Sequence, residues 1–400
     1  MKKKNLLIIT YYQYPCTETV LDTVFADKLG KQVNIIWLFL GDTSQGKTVR
    51  WHNSTVLLRN LHDRSNTKGK VLNKLIDVSE FLRLMWAIRR YAIDIVLVRD
   101  CPLFGYLANF IKHLYGIRVY YQCTGVAGSL EFDYYKLFTG AWRLYYAVQG
   151  IFFKHFEVLA IRHSDMIFPI TESHKQLITH LAPAEKIVPL TMGVSEEWLQ
   201  RQRKKIPAME KLKKTHHIIT YFGTLSFVRN PLFLLKTFVQ VKEKINNCKL
   251  LLIGETAKPW EKEQMIAFCQ DNHMLEDVIF VGQVNRDTLQ DHLQYCDLSL
   301  SFIPPTNDSF RISSPTKMYE SLGCKVPVVG NLGILEQEKV LRESGGGVLC
   351  DYTEASACDA VVKLFKDPAA RTAMAKAGSE YVINNYSYTI IADRILQYFA

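Results

Sequence analysis

The sequence predicts an α/β protein made of two doubly wound parallel-sheet domains. Short apolar runs that suit buried strands alternate with segments of helical periodicity along the 400-residue chain. A basic segment without apolar periodicity, residues 195–217, interrupts this alternation near the middle. The alternation then starts again, which indicates two domains of ordinary size joined by a linker.

The first domain is predicted over residues 1–194. Strands are predicted at residues 6–9, 33–40, 93–98, 118–122, 165–170 and 186–190, and helices at residues 19–29, 71–91, 104–114, 137–161 and 172–181. Such alternation is typical of a parallel sheet with helices on both faces.

The second domain is predicted over residues 218–386. Strands are predicted at residues 218–222, 249–254, 278–282, 298–301 and 326–329, and helices at residues 231–245 and 286–295 and from Ser314 onwards. Ligands of open parallel sheets bind at the carboxyl ends of the strands, so the residues that follow these strands are candidates for a binding site.

The composition excludes several classes of protein. Hydrophobic residues make up 48% and charged residues 22%, which suits a globular protein with sizeable cores. Nine cysteines are scattered without a Cys-x-x-Cys pair, which argues against a zinc site and a disulfide framework. No apolar run is long enough to span a membrane, and the run within residues 1–9 is too short for a signal peptide. We therefore expect a cytoplasmic protein.

Positive charge is concentrated in the first half of the chain. Residues 1–217 contain 31 Lys and Arg against 18 Asp and Glu, whereas residues 218–400 contain 18 against 21. Such an excess suits nucleic acid, an anionic membrane surface or an acidic substrate. The segment 137–161 is also aromatic and basic, so it can lie in a membrane interface, or it can be an ordinary buried domain helix. The basic linker can likewise contact anionic lipid or be merely solvated.

A helix start in the second domain is followed by groups that suit an anion. Ser314 can cap the first free amides and Pro315 suits the first helical position, so a helix is predicted to begin there and to stop at Gly323. Its N-terminus carries a partial positive charge, to which Lys317 adds a full one. Glu320, one turn later, can accept hydrogen bonds from a diol such as ribose. Phosphate beside a diol indicates a nucleotide, although a capped helix with one Lys and one Glu is common.

Gly223 and Arg229 follow the first strand of the second domain. Gly223 lets backbone amides approach a phosphate closely, and Arg229 can add a contact worth about 2 kcal/mol if it is desolvated. Arg229 can also be an ordinary exposed residue at a helix start. No Gly-x-Gly-x-x-Gly turn follows the first strand of either domain, which disfavours a nicotinamide or flavin oxidoreductase, and no P-loop is present.

Several motifs, in this order and spacing, resemble the second domain of glycosyltransferase family 4, the retaining GT-B enzymes. They are Tyr221-Phe-Gly-Thr-Leu225, Leu251-Leu-Ile-Gly254, Phe280-Val-Gly-Gln-Val284, Ser314-Pro-Thr-Lys-Met-Tyr-Glu320 and Ser344-Gly-Gly-Gly-Val-Leu349. The resemblance implies two Rossmann-like doubly wound domains facing across a cleft, the first for the acceptor and the second for the donor. It also implies that residues 387–400 form a helix that packs back on the first domain.

The resemblance further implies roles for individual residues. Glu320 matches the second Glu of the family's Glu-x7-Glu motif and would bind the nucleotide ribose. Arg229 and Lys317 would stabilise the departing diphosphate as catalytic residues. The other residues of the predicted donor site are Gly223, Thr224, Gly282, Val284, Ser314 and Thr316.

The sequence departs from the family pattern at a few positions. Ile312 stands where the first Glu of the motif would be, and Thr224 where an Arg often follows the phosphate-loop glycine. In the first domain, Gln122 and Thr124 replace the charged residues of a Tyr-Asp-x-Arg-Gly segment that some members have. The family's usual Gly-Gly turn after the first strand is also replaced here by residues 15–19.

The resemblance implies an enzyme that moves a sugar from a nucleotide diphosphate sugar to a hydroxyl of a glycan or lipid-linked acceptor with retention, in bacterial surface polysaccharide synthesis. Electrostatic stabilisation of the diphosphate would make a metal or other cofactor unnecessary. We expect an anionic membrane surface on the inner face of the cell membrane as a further partner, and no nucleic acid. A non-catalytic GT-B subunit and a GT-B epimerase are the alternatives, and the pattern from Ser314 to Glu320 disfavours the epimerase.

Overall fold

A computed structural model describes residues 3–43, 46–59, 80–137 and 139–399 of the chain. Two compact units are present: Met1–Thr191 with Tyr388–Ala400, here called the N-terminal unit, and Met192–Ser387, the C-terminal unit. Each unit is built on an open, predominantly parallel sheet with helices on its faces, which confirms the predicted fold class.

A seven-stranded sheet forms the centre of the N-terminal unit, in the order β3-β4-β2-β1-β5-β6-β7. Neighbouring strands run parallel except for β3, which pairs antiparallel with β4 at the edge. The strands are β1 Asn5–Tyr14, β2 Asn34–Gly41, β3 Thr48–Trp51, β4 Ser54–Arg59, β5 Ile95–Arg99, β6 Arg118–Cys123 and β7 Met166–Pro169.

The helices of the N-terminal unit cover both faces of this sheet. A helix with π-type hydrogen bonds spans Val20–Lys28, and short 3₁₀ turns span Leu29–Lys31 and Ala184–Lys186. Residues 80–90 are helical, while residues 71–79 of the predicted helix lie outside the described residues. The α-helices are Pro102–Tyr115, Ser129–Leu137, Gly140–His163, Glu172–Ile178 and Tyr388–Phe399.

Three predictions for the N-terminal unit are corrected. The edge hairpin of β3 and β4 was not predicted, because its strands are short and its first strand alternates exposed with half-buried residues. Residues 186–190 do not form a strand. Ile187 makes an isolated bridge with Ile167, and the amides of Val188 and Leu190 donate to the carbonyl oxygens of Ile167 and Pro169 at 2.9 and 2.8 Å without extending into a ladder. The predicted helix 137–161 is the helix Gly140–His163, preceded by the separate helix Ser129–Leu137.

Six parallel strands form the sheet of the C-terminal unit, in the order β10-β9-β8-β11-β12-β13. The strands are β8 His217–Phe222, β9 Cys248–Ile253, β10 Val278–Gly282, β11 Leu298–Ser301, β12 Val328–Asn331 and β13 Gly347–Cys350. The chain order reverses between β8 and β11, which is where ligands of such sheets bind.

Eleven helical segments cover the C-terminal sheet. The short segments are Glu196–Gln200, Pro207–Lys213, Phe227–Arg229 in 3₁₀ form, and Asp308–Arg311. The longer α-helices are Pro231–Lys244, Pro259–Asp271, Arg286–Leu293, Thr316–Gly323, Leu335–Ser344, Glu354–Lys366 and Pro368–Tyr386.

The basic segment 195–217 is structured. Its helix Glu196–Gln200 buries Trp198, and its helix Pro207–Lys213 buries Met209, both in the core of the C-terminal unit. These two apolar side chains are spaced too far apart to form a recognisable period in the sequence. The charges around them dominate the composition of the segment, although its few apolar residues determine its packing.

Candidate functional site

A pocket of about 350 Å³ opens at the carboxyl ends of β8, β9 and β10. Residues from the ends of all three strands, together with two helices, line it: Phe222, Gly223, Thr224, Ile253, Gly254, Glu255, Gln283, Val284, Arg286, Leu289 and Glu320. Four residues of the predicted site are among them, namely Gly223, Thr224, Val284 and Glu320. Gly282 ends β10 beside the pocket, since a Cβ placed on it would lie 3.8 Å from Oε2 of Glu255.

Two glycines bring the backbones of neighbouring strands together at the pocket. Gly223 follows β8 with φ +116°, and Gly254 follows β9 with φ +144°. A Cβ on Gly254 would lie only 2.0 Å from the carbonyl oxygen of Gly223, so no side chain fits there. The pocket wall is therefore backbone at this point, as a site needs where a ligand approaches the main chain closely.

Lys317 lies beside Gly223 in the first turn of the helix Thr316–Gly323. Its Nζ atom is 3.8 Å from the ring centroid of Tyr221, and it would lie 3.8 Å from a Cβ on Gly223. Burial lowers the pKa of Lys317 well below its usual range, and the charge of Arg229 lowers it further. No acidic side chain within the described residues pairs with Lys317, so this ammonium group would gain from a bound anion.

Arg229 is a second cation in the same region. It ends the short turn Phe227–Arg229, and its guanidinium carbon lies 4.5 Å from the ring centroid of Phe310. Burial is the main reason that its pKa is lowered, while Tyr221 acts in the opposite direction. Among the residues that the structure covers, Arg229 forms no ion pair. Lys317 and Arg229 are thus two basic side chains without an acidic partner among the described residues, close to the loop that follows β8 and contains Gly223, here called the glycine loop.

The helix Thr316–Gly323 begins one residue later than predicted. Pro315 occupies the N-cap position, and Thr316 is the first helical residue. Ser314 does not cap this helix: its Oγ accepts a hydrogen bond from the backbone N–H of Met192 at 3.2 Å and lies 3.4 Å from the hydroxyl of Tyr319. The Ser314 hydroxyl, which the sequence predicts to cap the helix, therefore forms a tertiary hydrogen bond instead.

The same helix ends at Gly323, as predicted. The left-handed turn that follows falls on Lys325, with φ +63°. Gly323 is small for a packing reason, because a Cβ there would come within 3.0 Å of Val194 and 3.1 Å of Leu199.

Glu320 is buried and paired with Arg286, a residue that the sequence did not indicate. Its Oε1 accepts from Nη2 of Arg286 at 3.0 Å and from Nε at 3.3 Å. Arg286 also lies over the ring of Trp198 at 4.9 Å, and its carbonyl oxygen accepts from the indole N–H of Trp198 at 3.0 Å. Burial raises the pKa of Glu320, and Arg286 partly offsets this effect. The carboxylate is thus held in one orientation at the pocket wall.

A second cavity, of about 420 Å³, lies in the N-terminal unit at the ends of β5 and β6. Its polar walls include Glu157, whose pKa burial raises to about 8, and Asp100, which accepts hydrogen bonds from Thr124 at 2.7 Å through both carboxylate oxygens. The segment Tyr121 to Gly125, singled out in the sequence, forms part of this wall. Each unit therefore has a cavity lined in part by carboxyl groups: Glu320 in the C-terminal unit, and Asp100 and Glu157 in the N-terminal unit.

Neither a metal cluster nor a membrane span is found in the described ranges. No three His, Cys, Asp or Glu side chains in those ranges come together as metal ligands do. Every helix in the same ranges is too short or too polar to cross a bilayer.

Among the comparisons with known proteins, the match to a family model lies within the C-terminal unit. Residues 202–381 match the model of the family described as glycosyl transferases group 1. No curated protein matches the chain by sequence.

Solved structures resemble the whole chain. Sucrose-phosphate synthase from Thermosynechococcus elongatus has a TM-score of 0.77 at 13% identity, covering 99% of this chain and 98% of that one. The E. coli structure described as trehalose-6-phosphate bound with UDP-2-fluoro glucose has 0.72 at 13%, covering 99% of both chains. WaaG, a glycosyltransferase involved in lipopolysaccharide biosynthesis, has 0.69 at 12%, also covering 99% of both. Likeness at such low identity establishes the fold, which is GT-B.

Proposed function

We propose that this protein is a glycosyltransferase that binds a nucleoside-diphosphate sugar in the C-terminal unit and transfers the sugar, with retention, to an acceptor hydroxyl. The observation that carries the proposal is the pair of basic side chains Lys317 and Arg229, which have no acidic partner among the described residues and lie close to Gly223. Glu320, on the same helix as Lys317, lines the adjoining pocket. The match of residues 202–381 to glycosyl transferases group 1 supports it.

The proposed donor site divides into a phosphate end and a ribose end. Backbone amides at the start of the helix Thr316–Gly323 face the diphosphate, since the first amides of a helix have no acceptor within it. The N–H of Gly223 donates to the carbonyl oxygen of Ile253 at 2.9 Å, so Gly223 contributes the space that a missing side chain leaves for the ligand. Lys317 and Arg229 stabilise the negative charge that develops on the leaving diphosphate. Glu320, oriented by Arg286, accepts hydrogen bonds from the ribose hydroxyls. The E. coli relative holds UDP-2-fluoro glucose, which is a donor of this class.

The acceptor side of the proposal concerns the N-terminal unit. We place a glycan or lipid-linked acceptor at the cavity lined by Asp100 and Glu157, whose carboxyl groups suit hydroxyl groups of a sugar. The excess of basic residues in the first half of the chain favours binding of the protein to the cytoplasmic face of an anionic membrane, where the transfer would take place. A role in bacterial surface polysaccharide synthesis fits this arrangement, and WaaG is a structural relative involved in lipopolysaccharide biosynthesis.

A thermal-shift screen tests donor binding. One of the uridine, guanosine or adenosine diphosphate sugars, at 100 times its Kd, should raise the melting temperature by about 5–10 °C, because it binds only the folded C-terminal unit. The variant Glu320→Gln, which lacks the charged acceptor for the ribose hydroxyls, serves as the control and should respond less at the same donor concentration. A lack of response to all three nucleotide classes would remove the basis of the proposal.

Turnover, stereochemistry and metal dependence are then measured with the donor that binds. A panel of glycan and lipid-linked acceptors should identify a product whose anomeric configuration, read by NMR, is that of the donor. Since two cations already face the diphosphate, EDTA should leave the rate unchanged within about twofold. An inverted product, or a rate that depends on added divalent ions, would contradict the corresponding part of the proposal.

A non-catalytic nucleotide-sugar-binding subunit is the second candidate. The observation that favours it is Ile312, which is apolar and buried where the first Glu of the family motif would stand. In that case a donor would stabilise the protein in the thermal-shift screen, yet no acceptor of the panel would be glycosylated. The two assays together therefore separate the enzyme from the binding subunit.

Glu320→Gln should weaken donor binding more than it slows turnover. Loss of the charged acceptor for the ribose hydroxyls should raise the Kd of the nucleotide by about 10- to 100-fold, measured by calorimetry. Glu336→Gln is a matched control, because Glu336 is also buried in the C-terminal unit but bonds to Tyr319 and does not line the pocket. If both variants bind the nucleotide as tightly as the native protein, Glu320 is not the ribose ligand.

A further inference from the structure

The outer face of the helix Gly140–His163 exposes large apolar side chains. Six residues within three turns are 42–67% exposed: Trp142, Leu144, Tyr145, Val148, Ile151 and Phe152. Leu144, Tyr145, Val148, Ile151 and Phe152 lie on one face about 120° wide, and Trp142 lies about 60° beyond Tyr145 in the first turn of the helix. The buried residues Gly150, Glu157, Ala160 and Ile161 lie on the opposite face. We call the six exposed side chains the apolar stripe.

The charges on this helix are almost all positive. Arg143, Lys154 and Arg162 are its basic residues with a permanent charge, and Glu157 is its only acidic residue. Helical spacing places Arg143 and Lys154 on one side, next to the edge of the apolar stripe. Both are exposed, and Arg143 also donates from Nη2 to the hydroxyl of Tyr135 at 2.9 Å. Glu157 faces the interior of the unit, where its carboxylate accepts from the N–H of Ala127 at 2.8 Å. The exposed side of the helix is therefore apolar with a basic border.

We propose that the apolar stripe docks the protein on the surface of an anionic lipid bilayer, with the helix lying in the plane of the interface. Trp142 and Tyr145 have the amphipathic rings that suit the headgroup level, and Leu144 and Ile151 reach towards the acyl chains. Arg143 and Lys154 meet lipid phosphates at the border of the stripe, so charge complementarity selects an anionic membrane.

A second copy of the chain fits this face less well. A two-fold contact between two stripes uses the same surface patch on both copies, so the basic border is present on both sides of the interface without an acidic counterpart on the helix. An anionic bilayer provides the opposite charge along the whole border, whatever the rotation of the helix in the plane. The chemistry of the border thus favours lipid over self-association.

The inner face of the same helix lines the cavity in which the proposed function places the acceptor. Phe153 and Glu157 line the cavity of the N-terminal unit, whereas the apolar stripe faces the opposite way. A helix with its side chains is about 10 Å thick, so the bilayer surface and the cavity lie about one helix diameter apart. An acceptor whose lipid stays in the bilayer could therefore place its polar headgroup in the cavity.

Vesicle flotation tests the docking directly, without any assay of sugar transfer. The native protein should float with vesicles of phosphatidylcholine and phosphatidylglycerol at low salt, and less with phosphatidylcholine alone. Leu144→Glu/Ile151→Glu should reduce the bound fraction at least tenfold, since two charges would enter the interface. Leu177→Glu is the matched control, because Leu177 is also exposed on a helix of the N-terminal unit, and it should float like the native protein.

A second variant tests the basic border, and thermal melting verifies that each variant is folded. Arg143→Gln/Lys154→Gln should keep the apolar stripe but lose at least half of the preference for anionic vesicles.

The proposal is overturned if the native protein does not float with anionic vesicles, or if Leu144→Glu/Ile151→Glu floats as well as the native protein. A native dimer that this variant converts to monomers would assign the stripe to self-association. Donor-induced stabilisation, measured separately, reports on the proposed function alone.

Discussion

Lys317→Ala should lower turnover by about 10²- to 10³-fold while changing the affinity for the donor much less. The ammonium group sits beside Gly223 without an acidic partner among the described residues, so it can respond fully to charge that develops on the leaving diphosphate. Its effect is therefore greatest in the transition state, where that charge is largest. Arg229→Ala should act in the same direction. The measurement is the steady-state rate with the donor found in the thermal-shift screen.

An exposed lysine supplies the control for this experiment. Lys236→Ala, on the helix Pro231–Lys244 of the same unit, removes an equal charge from the surface and should leave turnover unchanged. Unchanged rates in both Lys317→Ala and Arg229→Ala would contradict the assignment of these cations to catalysis.

The pH dependence of donor binding offers an independent measurement on Lys317. Burial and Arg229 lower its pKa in the free protein, and a bound diphosphate should raise that pKa by stabilising the charged form. Binding at pH values above the lowered pKa should therefore take up a proton, and affinity should fall as pH rises through that pKa. Calorimetry in two buffers with different ionisation enthalpies detects the uptake, which should be absent in Lys317→Met. Equal heats in both buffers at every pH would contradict a titrating Lys317.

Gly254→Ala should destabilise the C-terminal unit by about 3–5 kcal/mol. Its φ of +144° is unfavourable for any L residue with a side chain, and the added Cβ would meet the carbonyl oxygen of Gly223 at 2.0 Å. The added Cβ of residue 254 would meet backbone atoms of Gly223, and a backbone atom at a strand end cannot shift as easily as a flexible side chain. Denaturant unfolding measures the effect, and the transition that the donor shifts identifies the C-terminal unit.

Gly345→Ala is the matched control for Gly254→Ala. Gly345 has a φ of +57°, so alanine is strained there too, but no other atom lies within 4 Å of an added Cβ. Its cost should be limited to about 1–2 kcal/mol, and donor binding should remain. Equal losses of stability in the two variants would show that the close approach of the two strand ends contributes nothing.

Most of the strand positions in the C-terminal unit were predictable because each strand is a short apolar run bounded by turn-forming residues such as glycine. Val278–Gly282 and Leu298–Ser301 match their predicted ranges, and Gly223 and Gly254 follow their strands as expected. The sequence alone therefore suffices to place the glycine loop and the first turn with Lys317 at one edge of a sheet. The carboxyl-end rule for parallel sheets needs only the order of strands and helices.

The contacts within the site were not predictable in this way. Arg286 and Glu320 are 34 residues apart, and Arg286 also stacks on Trp198 from a segment that the sequence suggested was a linker. Ser314 was assigned to a helix cap from local chemistry, yet it bonds to Met192, which is 122 positions away. Each of these choices depends on which elements meet in three dimensions, and side-chain patterns along one segment do not contain that information.

The sequence by itself determined the two α/β domains, the edge of the second sheet where a ligand can bind, and the chemical groups offered there: a glycine loop, two cations and a carboxylate. These follow from periodicity and residue type, which act over a few neighbouring residues. Only the tertiary structure decided that Lys317 lies over Tyr221 without an acidic partner among the described residues and that Arg286 holds Glu320. Burial and the distance between charges fix the electrostatics of such groups, and both quantities exist only once the chain has folded.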